Sequence, residues 1–168
     1  AFYKSQNVLI EEITEVLKNT KDIIKSIKSL QEENAELSKQ IAQFNKEKAG
    51  NLQESLMKNM QQINGINFIT AKVDLDAATV KDLCFAMKNN VDNLFLVLGY
   101  EADDKAGLSV VLSENLFSDK GMDASKIVRE IAKEIQGGGG GQAFFATAGG
   151  KNPAGIENAF IKAKELIS

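Results

Sequence analysis

The part of this sequence with the clearest chemical potential is a glycine-rich segment in the C-terminal third of the chain. It begins with five consecutive glycines, Gly137 to Gly141, and ends after an apolar stretch in Gly149-Gly150-Lys151-Asn152. Glycine loses more conformational freedom on folding than any other residue, so a domain that keeps five in a row needs unusual backbone conformations or very close contacts there. Backbone N–H groups in such a segment can also form a nest for anions.

Three interpretations of the glycine segment remain open at this point. A flexible linker is one, although the run contains no Ser and directly joins a helical pattern to a strand-like one. Anion binding is another, because Lys151 and Asn152 precede a predicted helix start, where N–H groups and the helix dipole favour a phosphate. Close packing of a helix against a sheet is the third. The glycine spacings of the dinucleotide fingerprint and of the P-loop are both absent.

The inventory of reactive side chains argues against chemistry within this chain. There is no histidine, which removes the commonest general base and most transition-metal sites. The only cysteine, Cys84, lies in an apolar run and is predicted to be a buried thiol. A single cysteine excludes an internal disulfide and fits the reducing cytoplasm, and no apolar run is long enough to cross a membrane. The chain opens on Ala1 instead of Met, so we expect a piece of a longer protein.

The net charge of −3 is unevenly distributed along the chain. Acidic residues dominate from Asp74 to Asp119, whereas basic residues outnumber acidic ones from Lys120 onward. A polyanion would therefore approach the C-terminal third. Arg129 is the only arginine, so bidentate reading of bases is not expected, and lysines would hold any phosphates.

The N-terminal third carries the heptad pattern of a long helix or helical hairpin. The seam positions are Leu9, Val16, Ile23, Leu30, Leu37 and Phe44, with Ile13, Thr20, Ile27, Asn34 and Ile41 between them. At 1.5 Å per residue, the seam would be about 50 Å long. A turn at Gly50-Asn51 would start a second helix that folds back along the first.

That second helix would be too short to cover a third apolar ridge, Ile10, Leu17 and Ile24, in the first half of the long helix. Another chain or a further part of a longer one must then cover it, and we favour a homodimer. The residues that we expect to form its interface are Ile10, Ile13, Val16, Leu17, Ile23, Ile24, Ile27 and Leu30.

Beyond residue 64 the periodicity changes to that of a small α/β domain. Strands are predicted at 67–73, 93–100, 108–112 and 144–148, and the short turn between the second and third favours an antiparallel pair. Helices are predicted over 76–87, with Asp76 as N-cap, from 124 and from 153. Their predicted buried faces are Val80, Leu83, Cys84 and Met87 in the first, Ile127, Val128, Ile131 and Ile135 in the second, and Ile156, Phe160, Ala163 and Ile167 in the third. The sequence thus predicts a helical segment over 1–64 and a globular domain over 65–168, with a mixed sheet of about four strands and flanking helices.

The glycine segment gives the sequence a specific family likeness. The five glycines, the apolar stretch after Gln142 and the pair Gly149-Gly150 resemble the C-terminal domain of alanyl-tRNA synthetases, and the long helix resembles the coiled-coil segment of that family. Two departures stand out. Gln136 occupies a place where the family usually has a further glycine, and Gln142-Ala143 replaces a usual Arg-Pro pair. DHH phosphoesterases carry a similar domain but usually have a histidine where this chain has Gln142, which favours the synthetase.

The resemblance implies a dimerising, tRNA-binding fragment of an alanine–tRNA ligase that assists aminoacylation and editing. By that resemblance the partners are tRNA(Ala), a second copy and upstream domains. ATP, magnesium and zinc would be used by those upstream domains, with no cofactor or catalytic centre in this chain. The residues expected to contact tRNA are Gly137, Gly138, Gly139, Gly140, Gly141, Gln142, Gly149, Gly150, Lys151 and Asn152, together with Arg129, Lys133 and Lys126 from the preceding helix. The alternatives are a substrate-binding domain of a DHH-type phosphoesterase and a purely structural coiled-coil module.

Overall fold

A computed structural model describes the backbone of residues 2–17 and 22–168, and the side chains of 7–17 and 22–168. The chain divides into two compact units between Phe44 and Asn45, twenty residues before the boundary drawn from the sequence at 64/65. We refer to the first as the helical unit and to the second as the globular unit. Within the described ranges, no helix combines the length and the apolar character that crossing a membrane requires.

Two helices account for the N-terminal part of the chain. Helix α1 spans Phe2–Val16 and helix α2 spans Ile23–Lys58. The turn predicted at Gly50-Asn51 is wrong, because α2 continues through it. Gly in a helix interior costs only about 1 kcal/mol relative to Ala, so one glycine does not end a helix that packing supports. Thr20 of the predicted seam lies outside the described residues.

The globular unit is built on a six-stranded mixed sheet, two strands more than the sequence predicted. Its strands are β1 Gln61–Ile63, β2 Ile66–Val73, β3 Leu94–Ala102, β4 Lys105–Leu112, β5 Gly137–Gly141 and β6 Phe145–Gly150. Their order is β1-β2-β3-β4-β6-β5. Only β2 and β3 pair in parallel, and the predicted antiparallel pairing of β3 with β4 is confirmed. Tight turns at Asn64-Gly65 and at Asp103-Asp104 adopt positive φ, which these residue types tolerate.

Helices cover both faces of this sheet. They are α3 Ala77–Asn90, α4 Glu114–Ser118, α5 Ala124–Ile131 and α6 Ile156–Glu165, the last preceded by a 3-10 turn at Pro153–Gly155. The short α4 was missed from the sequence. Asp76 caps α3 as predicted, since its carboxylate accepts a hydrogen bond of 2.9 Å from the N–H of Thr79.

The apolar residues form one core cluster on each face of the sheet. One cluster joins α5 and α6 to side chains such as Phe95 and Leu108, and the other joins α3 and the end of α2 to side chains such as Leu96. Strand β3 contributes to both, which explains its continuous apolar run. The predicted buried faces of α3, α5 and α6 are confirmed.

Candidate functional site

The five-glycine run is a β-strand at the edge of the sheet. Strand β5 pairs antiparallel with β6, so that Gly137 lies opposite Gly150 and Gly141 lies opposite Ala146. The linker interpretation is therefore wrong, because every residue of the run has a partner in a regular ladder. The glycine pair that closes the segment belongs to the same two-stranded edge, where Gly138 lies opposite Gly149. Folding thus brings both ends of the glycine segment together.

The glycines of this edge fall into two sets that differ in the room around them. At Gly139, an added Cβ would lie 2.2 Å from the backbone oxygen of Thr147, and Gly137 and Gly141 are similarly restricted. At Gly138 and Gly149, an added Cβ would meet nothing within 4 Å. Close packing therefore explains why Gly137, Gly139 and Gly141 are glycines, but it does not explain Gly138. The open glycines leave the backbone accessible to a large partner.

The segment after β6 is held by the turn that follows helix α5. Asn152 donates from its backbone N–H to the Ile135 oxygen at 3.0 Å and from its side chain to the Glu134 oxygen at 3.2 Å. An added Cβ at Gly150 would lie 2.2 Å from that same Ile135 oxygen. Asn152 and Gly150 thus have structural roles within the fold, whereas Lys151 between them is exposed.

Gln136 joins α5 to β5 in a left-handed backbone conformation, with φ of 52°. Its N–H donates to the Lys133 oxygen, and the N–H of Gly137 donates to the Ala132 oxygen, both at 3.0 Å. These two bonds form a Schellman motif, in which the residue at the Gln136 position is usually glycine. Gln136, where the resemblance leads to the expectation of a further glycine, therefore closes the turn that follows α5.

Of the predicted basic contacts, Arg129 lies beside the glycine strand. A Cβ built on Gly140 would lie 3.6 Å from Nη2 of Arg129, and Arg129 forms no ion pair with the part of the chain that the structure describes. Lys133 differs, because its Nζ lies 2.6 Å from Oε2 of Glu130, and this contact holds the pKa of Glu130 below its usual value. Lys126 is exposed. Arg129 thus lies beside an open strand edge. The positive charge of Lys133, by contrast, is partly compensated by the carboxylate of Glu130.

The turn between β5 and β6 carries an aromatic cluster that sequence reasoning missed. Phe85 of α3 lies with its ring centroid 5.1 Å from that of Phe145 and 6.3 Å from that of Phe144. The amine of Lys88 lies 4.7 Å from the centre of the Phe144 ring. Lys81, Phe85 and Lys88 are spaced i, i+4 and i+7, which places them along one stripe of α3. That spacing was the available signal in the sequence.

Cys84 is the buried thiol that the sequence predicted. It is fully buried, and burial raises the pKa of its thiol to about 12, which suppresses the reactive thiolate at neutral pH. Burial also raises the pKa of Tyr100, with a further contribution from Cys84. Among residues 2–17 and 22–168, no three or more His, Cys, Asp or Glu side chains are placed to hold a metal ion.

Comparison with known proteins places this architecture in a family. The family model of the DHHA1 domain matches residues 65–168. The chain belongs to the DHHA1 domain family. Its resemblance to alanyl-tRNA synthetases is also confirmed, since alanine–tRNA ligases match nearly its whole length. That of Christiangramia forsetii is 49% identical over 166 residues and that of Cytophaga hutchinsonii is 42% identical over 167, each covering 99% of this chain.

The chain spans about a fifth of the length of these relatives, 19% in both cases. Among solved structures, the C-Ala domain from Aquifex aeolicus alanyl-tRNA synthetase is similar, with a TM-score of 0.61 and 24% identity. The match covers 65% of this chain and 97% of that domain. At this identity the likeness establishes a shared fold. The range that matches the DHHA1 family model includes the whole glycine segment, from Gly137 to Asn152.

Proposed function

We propose that this chain is the tRNA-binding and dimerising region of an alanyl-tRNA synthetase. The observation that carries the proposal is the 49% identity with an alanine–tRNA ligase over 99% of the chain. The ligase reaction itself, with its ATP, magnesium and zinc, then belongs to the rest of such a polypeptide. This region assists it in aminoacylation and editing by holding tRNA(Ala), and it works in the cytoplasm.

The surface that we propose for tRNA is the edge formed by β5 with the adjoining face of α5. An edge strand without side chains lets an RNA backbone approach closely, and the open positions Gly138 and Gly149 give that approach room. Arg129 lies beside the strand and has no ion pair among the residues that the structure describes, and Lys151 is exposed at the far end of the strand. Gln142 is exposed at the turn and can offer an amide. Phosphate contacts of this kind supply affinity that does not depend on sequence.

The surface that we propose for dimerisation is the apolar side of the helical unit. Ile10, Ile24 and Leu30 of the predicted interface are 51%, 69% and 52% exposed. Exposed apolar side chains repeated at helical spacing are typical of a helix that packs against another copy. Val16 and Ile27 extend the same exposed series, while Ile13, Leu17 and Ile23 are half-buried.

The DHH phosphoesterase alternative receives less support. A DHHA1 domain is compatible with it, but the relatives that match 99% of this chain are alanine–tRNA ligases. The purely structural alternative is compatible with the three restricted glycines. It gives no reason for the open glycines Gly138 and Gly149, or for the position of Arg129 beside the glycine strand.

Titration of the chain with a tRNA(Ala) transcript in a gel-shift assay tests the proposed function. We expect binding at low salt that weakens steeply as salt rises, because few basic side chains are available and each phosphate contact releases counterions. A transcript of the same length folded as an unrelated hairpin is the control for charge alone. Absence of tRNA binding at low salt would reject the proposal.

A further inference from the structure

A small cavity of about 250 Å³ lies where the glycine strand meets helix α3. Its apolar wall consists of Phe85, Phe144 and Phe145, and its polar side includes Lys81 and the end of the glycine strand at Gly140 and Gly141. We call this cavity the phenylalanine pocket. It is smaller than the sites that hold drug-sized ligands, which measure about 300–1,000 Å³, so it suits one planar ring and not a whole nucleotide.

The three rings of the pocket are held in place while remaining partly accessible. All three phenylalanines are half-buried. The Phe85 and Phe145 rings are tilted by 38° with their centroids 5.1 Å apart. The turn that carries Phe144 is fixed on both sides, since the Phe144 oxygen accepts from the N–H of Leu112 at 2.9 Å and the Gln142 N–H donates to the Phe145 oxygen at 2.8 Å. A preformed aromatic wall loses little freedom when a ring stacks against it.

Two lysines of helix α3 flank the aromatic wall. Lys81 lines the pocket, is exposed, and forms no ion pair among the described residues. Lys88 is half-buried and lies over the Phe144 ring, but it does not line the pocket. The stripe Lys81-Phe85-Lys88 therefore combines an aromatic face with a free cation at its edge. This combination of stacking surface and positive charge is the one that single-stranded nucleic acid sites use.

We propose that the phenylalanine pocket binds one unpaired nucleobase of an RNA, with the adjoining phosphate on Lys81. The proposal rests on the tRNA-binding function proposed above and names a particular subsite for it. An apolar peptide side chain could also fill an aromatic pocket, but it would leave the free cation of Lys81 without a counterpart. Gly140 and Gly141, which also line the pocket, belong to the same strand β5 that is proposed to contact the RNA.

Matched substitutions in the full chain separate stacking from packing. Phe85→Leu keeps an apolar side chain but removes a stacking face, and Lys81→Gln removes only the charge. Each is expected to weaken binding of the tRNA(Ala) transcript at low salt, about tenfold for Phe85→Leu and several-fold for Lys81→Gln. The controls are Phe117→Leu, since Phe117 packs on Phe144 outside the pocket lining, and Lys120→Gln, since Lys120 is exposed and lies near Gly65, in the turn between β1 and β2 at the other edge of the sheet. Both controls should stay within twofold of the wild type.

A fluorescence measurement reports pocket occupancy even if one of these variants fails to fold. The chain contains no tryptophan, so Phe144→Trp creates a single emitter in the pocket. A stacked base should quench its emission when tRNA(Ala) or short oligoadenylate is added. Ile161→Trp, 60% exposed on helix α6, is the control and should not be quenched.

The outcomes distinguish the pocket from the proposed function. If tRNA binds but neither pocket variant weakens it and Phe144→Trp stays unquenched, the pocket proposal is overturned while tRNA binding stands. If tRNA does not bind at all, the proposed function fails, and the oligoadenylate titration alone decides the pocket: quenching supports it and constant emission overturns it. Quenching together with weaker binding by Phe85→Leu supports both.

Discussion

The helical and globular units of this chain differ in how far their apolar side chains are buried. In the globular unit, side chains such as Phe95, Leu96 and Ile131 are completely buried in the two clusters that flank the sheet. In the helical unit, Val16 is 82% exposed and Ile24 69% exposed. Burial contributes about 25 cal/mol for each Å² of apolar surface. The globular unit is therefore stabilised by its own core, whereas the exposed apolar side chains of the helical unit contribute little within one chain. This difference is what the proposed dimer of the helical unit would require.

The largest expected effect is on assembly. Leu30→Asp places a charge in the seam of both copies, where each leucine would otherwise contribute about 1.5–3 kcal/mol on burial. We expect the dimer to weaken by a hundredfold or more in sedimentation equilibrium, with unfolding of the globular unit unchanged. Gln31→Asp, at an exposed polar neighbour, is the control. A wild-type chain that sediments as a monomer at micromolar concentration would contradict the proposed dimer of the helical unit.

The next effect lies in the globular unit and separates the two sets of glycines. In Gly139→Val, the new side chain would collide with the backbone of Thr147, which cannot move without breaking the β5–β6 ladder. We expect a loss of about 3 kcal/mol in the free energy of unfolding, measured by denaturant titration. Gly138→Ala meets open space and should change it by less than about 1 kcal/mol. Equal losses of unfolding free energy in the two variants would contradict the distinction between restricted and open glycines.

A smaller effect concerns the cap of helix α3. Asp76→Ala removes hydrogen bonds to the N–H and hydroxyl of Thr79 and should cost about 1 kcal/mol at neutral pH. These bonds, chiefly the one from the Thr79 N–H, lower the pKa of Asp76 below its ordinary value of 3.8. The contribution is therefore present above that value and is lost as the pH falls through the lower, folded-state pKa.

Denaturation at neutral pH and in strong acid measures this dependence. The difference between Asp76→Ala and the wild type should shrink in acid. Asp76→Asn, which keeps a capping oxygen without a titratable group, should lose less stability than Asp76→Ala. A difference between Asp76→Ala and the wild type that stays constant with pH would show that the carboxylate does not act through its charge.

The smallest expected effect is a gain in stability. Gln136 holds a left-handed conformation in the turn between α5 and β5, where a side chain costs energy that glycine avoids. Gln136→Gly should raise the free energy of unfolding of the globular unit by about 0.5–1 kcal/mol, as read from denaturant midpoints. A lower denaturant midpoint for Gln136→Gly would show that the glutamine side chain stabilises the fold by more than its left-handed conformation costs.

The sequence predicted those parts of the fold whose side chains alternate or recur with a clear period. The buried faces of α3 and α5, the cap at Asp76 and the central strands β2, β3 and β4 all carry such a pattern. Strand β5 has no side chains, so periodicity could not distinguish it from a bend or a linker. Strand β1 is short and mostly polar, and its Ile63 fits a helical series equally well.

The site was predictable only in part, for a similar reason. Proximity of Arg129 to the glycine segment followed from chain order, because α5 leads directly into β5. The phenylalanine pocket did not, since it joins α3 to a turn almost sixty residues later through the pairing of β4 with β6. Which glycines are restricted and which are open depends on the β5–β6 register, which composition does not encode.

The salt dependence of tRNA(Ala) binding by the wild type and Arg129→Gln tests the proposed surface most directly. If Arg129 holds a phosphate beside the glycine strand, the variant should bind more weakly at low salt. Its plot of log affinity against log salt concentration should be shallower by about one. Lys72→Gln, whose lysine is paired with Glu101 on a central strand, should leave the slope unchanged. Identical slopes and affinities for the wild type and Arg129→Gln would contradict tRNA binding at this edge.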